Sequence, residues 1–136
     1  MGLKETVIDR VTYWSDLAKY DLDTAEAMYS THRWLYVGFM CHQVIEKVLK
    51  AYWCAKMPQD PPYTHNLVKL STECGLSAIM SEEQNSFIDG MMPLNIEARY
   101  PEYKEKLLKL LTAENCEKIL NYTTELQLWI REQLSK

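Results

Sequence analysis

The chain has 136 residues, of which 47% are hydrophobic, only four glycines, and a net charge of −4. That length gives about one domain with a core of its own, and the composition excludes a disordered chain. The acidic balance excludes a whole-chain basic footprint for nucleic acid, though not a local patch, and no apolar run reaches the roughly 18 residues of a membrane span.

In chain order, Val7, Val11, Trp14, Ala18, Leu22, Ala25 and Tyr29 step by three and four. They predict a long first helix with one apolar stripe, ending near Ser30 and Thr31. Asp21 lies beside that stripe, one turn after Ala18, where it can pair with a lysine of the next helix in a structural or site-supporting role.

The second helix is predicted over about 33–56 and is apolar nearly all round. Its exception is Gln43, Glu46, Lys47 and Lys50, which fall within one arc of about 100°. Two readings stand side by side. In one the strip is a solvated face with Glu46 and Lys50 as an ordinary i,i+4 pair. In the other it is the floor of a polar site. Two ammonium groups one turn apart bracket a phosphate there, and Gln43 and Glu46 hydrogen-bond a base or ribose.

Residues 57–62, Met-Pro-Gln-Asp-Pro-Pro, break the helix because proline removes amide donors and disfavours helix in the residue before it. His65 follows Thr64 just after this loop. It is either part of a capping arrangement or a ligand contact at the positive end of a short third helix. That helix is predicted over about 66–74 and stopped by Gly75. Ser81-Glu82-Glu83-Gln84 is a capping box that opens a fourth helix. Gly90 and Pro93 leave its continuation to Arg99 open.

Arg99 can clamp a phosphate with its planar fork or tie down helix carbonyls, and Tyr100 reads as a packing aromatic. Pro101 ends this region. Residues 103–111 are basic and leucine-rich and are expected as an exposed helical turn or connection. Thr112 then caps a last helix with the stripe Cys116, Ile119, Leu120, Thr123, Leu126, Ile130 and Leu134. No segment alternates with period two, so no sheet is expected.

The four cysteines, at 41, 54, 74 and 116, have no C-x-x-C spacing, and the histidines at 32, 42 and 65 lack ligand spacing with them. Neither a metal site, a cofactor nor a disulfide is expected. The opening Met-Gly-Leu-Lys-Glu is not a signal peptide, so a cytoplasmic protein is expected.

Four segments together carry a family resemblance. Trp14 precedes Ala18-Lys19-Tyr20-Asp21-Leu22. The second helix holds Gln43, Glu46, Lys47, Leu49, Lys50 and Ala51 as Q-x-x-E-K-x-L-K-A. Thr64-His65-Asn66-Leu67 follows, then Ala98-Arg99-Tyr100-Pro101. In this order and spacing the chain resembles the HEPN (higher eukaryotes and prokaryotes nucleotide-binding) domain from about Tyr13 onward. The resemblance implies an all-α up-and-down bundle of four to five helices, a single domain over 1–136, and a homodimer. It implies a nucleotide, RNA or other anionic ligand, with Gln43, Glu46, Lys47, Lys50, His65, Arg99 and Tyr100 meeting in one cleft. It also implies a minimal nucleotidyltransferase as partner in a toxin–antitoxin-like system.

Catalytic members of that group carry Arg, four to six residues, then His. No arginine here has a histidine at that spacing: Arg10 leads to Ser15, Asp16 and Leu17, Arg33 to Gly38, Phe39 and Met40, and Arg99 to Lys104, Glu105 and Lys106. A non-catalytic binding module is therefore expected. The alternative is a divergent RNase or toxin with a composite site of His65, Arg99 and the helix-two lysines.

Overall fold

The computed structural model describes residues 6–95 and 101–136. Among these it contains six α-helices and no strand. They are α1 (Val7–Ser30), α2 (Trp34–Lys56), α3 (Leu67–Glu73), α4 (Glu82–Met91), α5 (Pro101–Leu110) and α6 (Ala113–Gln133). The count exceeds the four to five expected. The additional helix is α5, expected from the sequence as an exposed helical turn or connection.

Local chemistry fixes most of the helix ends. Thr6 and Asp9 form a reciprocal capping box at the start of α1, and Ser81 and Gln84 do the same for α4. The side chains of Asn66 and Thr112 accept from the amides of Lys69 and Asn115 to cap α3 and α6. Helix α1 ends in a Schellman turn. The amide of Arg33 donates to the carbonyl of Met28 at 2.8 Å, and that of His32 donates to Tyr29 at 3.1 Å. His32 occupies the left-handed position (φ 59°), usually glycine's, and its ring stacks on Trp34 at 5.1 Å.

This tight turn folds α2 back along α1, and α6 packs on α2 and α1. Ser15, Ala18 and Ala25 are the buried positions of α1, so small side chains let the two long helices approach closely. Helix α2 is the central element, with Val37, Cys41, Val44, Ile45, Val48 and Leu49 completely buried. Of the expected core, Val48, Leu49 and Leu67 are fully buried. Leu22, Phe39 and Ile119 are partly buried against the core, and Trp14 is half-buried.

Helix α5 has a packing reason to exist. Leu107 and Leu111 are buried, and a Cβ at Gly38 would lie 3.1 Å from Leu111 Cδ1 and 3.5 Å from Leu94 Cδ2. The missing side chain at Gly38 therefore lets Leu94 and Leu111 reach the α2 backbone. Helix α4 does not run on toward Arg99: a 3₁₀ turn over Met92–Leu94 contains Pro93 and leads to an extended Asn95. No helix among the described residues is long and apolar enough to cross a membrane.

Candidate functional site

The polar strip of α2 is covered. Glu46 is 2% and Lys50 6% exposed while Gln43 and Lys47 are partly buried, so the strip is not a solvated face. Lys50 Nζ donates to Glu46 Oε2 at 3.1 Å and lies 5.1 Å from the centre of the Trp14 ring on α1. Lys47 Nζ donates to Asp21 Oδ2 at 2.8 Å and to Gln43 Oε1 at 3.2 Å. Asp21 thus pairs with a lysine of the second helix. A partly buried carboxylate and a partly buried ammonium neutralise each other across the α1–α2 interface.

His65 joins this network from the loop before α3. Thr64 Oγ1 accepts from the Asn66 amide and Asn66 Oδ1 from the Lys69 amide, so these neighbours do the capping. The imidazole is left to reach Glu46, with Nδ1 2.9 Å from Oε1. An ionised carboxylate only accepts, so His65 donates from Nδ1. Glu46 is therefore shared between Lys50 and His65.

The structure brings together Gln43, Glu46, Lys47, Lys50, His65 and Asp21. Arg99 and Tyr100 lie outside the described residues. The cleft expected from the sequence did not include Asp21. Counted with it, the two lysines face two carboxylates, and His65 shares one of them.

Sequence reasoning missed His42. It is completely buried, and its Nδ1 lies 4.0 Å from the same Glu46 oxygen that holds His65. Neither ring nitrogen has a hydrogen bond of good geometry, although the His65 backbone lies near enough to favour the charged ring. Burial pushes its pKa down from 6.5 to about 4, against the opposing pull of Glu46. The available signal was position: His42 precedes Glu46 by four residues on the same helix face. Gln43 Nε2 is likewise buried without a hydrogen-bond partner.

Trp14, which covers Lys50, also floors a small cleft. Its other lining residues are Arg10 and Tyr13 from α1 and Asp60 and Pro61 from the proline loop, and it encloses about 260 Å³. Arg10 Nε lies 3.5 Å from Asp60 Oδ1. The loop is tied to α2 by Trp53, whose indole N–H donates to the Gln59 carbonyl at 3.0 Å.

Thiol chemistry has no foothold in the site. The four cysteines are buried thiols, and burial raises Cys41 to about 12 and Cys116 to about 11. Among the described residues no three His, Cys, Asp or Glu side chains are arranged to hold a metal ion.

The HEPN domain model matches residues 11–133. The structure is similar to the crystal structure of TT1696 from Thermus thermophilus, with a TM-score of 0.76 over 90% of this chain and 97% of that one, at 17% identity. That likeness carries the fold alone. No curated protein matches the sequence.

Proposed function

The chain belongs to the HEPN domain family, whose model spans residues 11–133, and from that premise we propose that it is a non-catalytic binding module of the family. In this reading it captures a nucleotide or another anion at the rim of the α2 network, where His65 has a half-exposed side chain. It works as a homodimer beside a separately encoded minimal nucleotidyltransferase, in a toxin–antitoxin-like pair.

The observation that carries the non-catalytic reading is the closure of the network. Lys47 and Lys50 are each engaged by a carboxylate within 3.1 Å. Cations held this way brace the bundle and are poorly placed to stabilise a transition state. The missing Arg…His spacing supports the same conclusion.

A divergent RNase or toxin is the second reading, and the His65–Glu46 pair favours it. A carboxylate that fixes the tautomer of a partly exposed histidine is the arrangement proton transfer needs.

A thermal-shift series with inorganic phosphate, mononucleotides and short RNA tests both. A ligand at about 100 times its dissociation constant adds about 2.7 kcal/mol to stability. The binding module predicts a salt-sensitive rise in Tm with one of these ligands, intact RNA, and loss of the rise in Arg99→Ala. RNA cleavage abolished by His65→Ala would instead establish the enzyme. No shift with any ligand, at low salt, would remove the anion-binding reading.

A further inference from the structure

Between the start of α4 and the middle of α6 lies a cleft of about 320 Å³. Tyr122, Glu125, Leu126 and Trp129 line it from α6, where steps of three and four put them on one face. Glu83 lines it from the first turn of α4. Ser81 and Gln84 beside it are already engaged in the capping box of that helix. Leu126 is an apolar floor, 2% exposed. The Tyr122 ring is held by Phe87, whose ring lies 4.3 Å from it at a tilt of 31°.

The charge in this cleft has one sign. Glu83 and Glu125 are exposed carboxylates. After burial, which is the larger cause, both raise the pKa of Tyr122, so both stand near its hydroxyl. Neither is held in an ion pair among the described residues. No lysine, arginine or histidine among those residues lines the cleft.

We propose that this cleft binds a small methylated ammonium ion. The Tyr122 and Trp129 rings present π surface to the cation, and Leu126 meets its methyl groups. Glu83 and Glu125 supply the opposite charge while keeping their water, because a quaternary nitrogen has no N–H to donate to them. A hard divalent ion fits poorly. Calcium takes about six to eight oxygen ligands, and two carboxylates beside apolar ring surface do not supply them. An anion would meet two like charges. The volume lies near the low end of the roughly 300–1,000 Å³ usual for small-molecule sites, which suits a compact head group. None of the residues named for anion capture lines this cleft, so the inference stands apart from that reading.

The test uses the full chain with choline, its neutral isostere 3,3-dimethylbutanol, and calcium chloride as competitor. Calorimetry and tryptophan fluorescence should show saturable binding of choline, with the neutral isostere about tenfold or more weaker. Glu125→Gln changes an exposed side chain, so it keeps the fold. It should weaken choline about threefold and leave 3,3-dimethylbutanol unchanged. The proposal is overturned by no saturable binding of choline, by an isostere that binds equally well, or by unchanged choline affinity in Glu125→Gln. Displacement of choline by calcium chloride, but not by sodium chloride of equal ionic strength, would also overturn it, as binding to the carboxylates alone. Any of these leaves the phosphate and nucleotide series above unaffected, because that series reads a different set of residues.

Discussion

Lys47 Nζ donates to Asp21 Oδ2 across 2.8 Å, tying the middle of α2 to the middle of α1. Both side chains are mostly covered, at 17% and 14% exposure. The pair therefore lies between an exposed ion pair, worth about 0–1 kcal/mol, and a fully buried one, whose breaking costs about 3–5 kcal/mol. Asp21→Ala should lower unfolding stability by about 2 kcal/mol. Adding Lys47→Ala should return part of that loss, because the stranded ammonium is removed. A double-mutant cycle in urea measures the coupling, and additive losses would show that the pair contributes nothing as a pair.

Glu46 serves more partners than any other charged residue of the strip, and its loss should be the costliest. Glu46→Ala leaves Lys50 with a side chain 8% exposed and no carboxylate beside it. It also releases His65 from its 2.9 Å contact. The expected loss is about 3–5 kcal/mol, the penalty for an uncompensated buried charge. Lys50→Met combined with Glu46→Gln removes both charges and should cost less than Glu46→Ala. Chemical denaturation of the three proteins orders them, and a Glu46→Ala variant as stable as the parent would refute the buried-charge account.

These pairs show where sequence reading stops. The arc of Gln43, Glu46, Lys47 and Lys50 follows from helix geometry, so their sharing one face was legible. That Trp14 and Asp21 cover that face was not, because burial is decided by which neighbour docks there. Much of the punctuation was legible: Ser81 and Thr112 cap the helices they were expected to cap, and the 57–62 prolines end α2. Helix α5 was read only as an exposed helical turn or connection because Tyr103, Leu107 and Leu111 form a short stripe among charged residues, while Gly38, which receives Leu111, lies far away in sequence. His42 escaped because a histidine on an apolar helix face carries no sign of whether its nitrogens find partners.

The four thiols should be silent in the native state. All are buried, and burial raises the pKa of Cys41, Cys74 and Cys116. Thiolate is the reactive form, so labelling by an alkylating reagent at pH 8 should proceed only through opening of the bundle. Labelling should accelerate with urea in step with unfolding. Rapid modification of any cysteine in buffer would place that thiol outside the core.

The last prediction concerns acid. His42 is buried and neutral, with its pKa pushed down from 6.5 to about 4 by burial. Between these values the unfolded chain binds a proton at this position and the native chain does not. Unfolding stability must therefore rise with pH through this window. Its contribution is complete above about pH 6.5 and is lost progressively as pH falls toward 4. The span corresponds to about 3 kcal/mol at 1.36 kcal/mol per unit. Glu46 works against the shift, since its nearest oxygen, 4.0 Å away, favours a charged ring. Removing that carboxylate with Glu46→Gln should depress the His42 pKa further. His42→Leu keeps the side chain apolar and should flatten stability between pH 4 and 6.5 relative to the parent. Urea titrations at several pH values give the slope, and NMR titration of the His42 ring gives the native pKa directly. A ring that titrates near 6.5 in the folded protein, or a His42→Leu variant with the parent's slope, would assign the acid sensitivity to other groups.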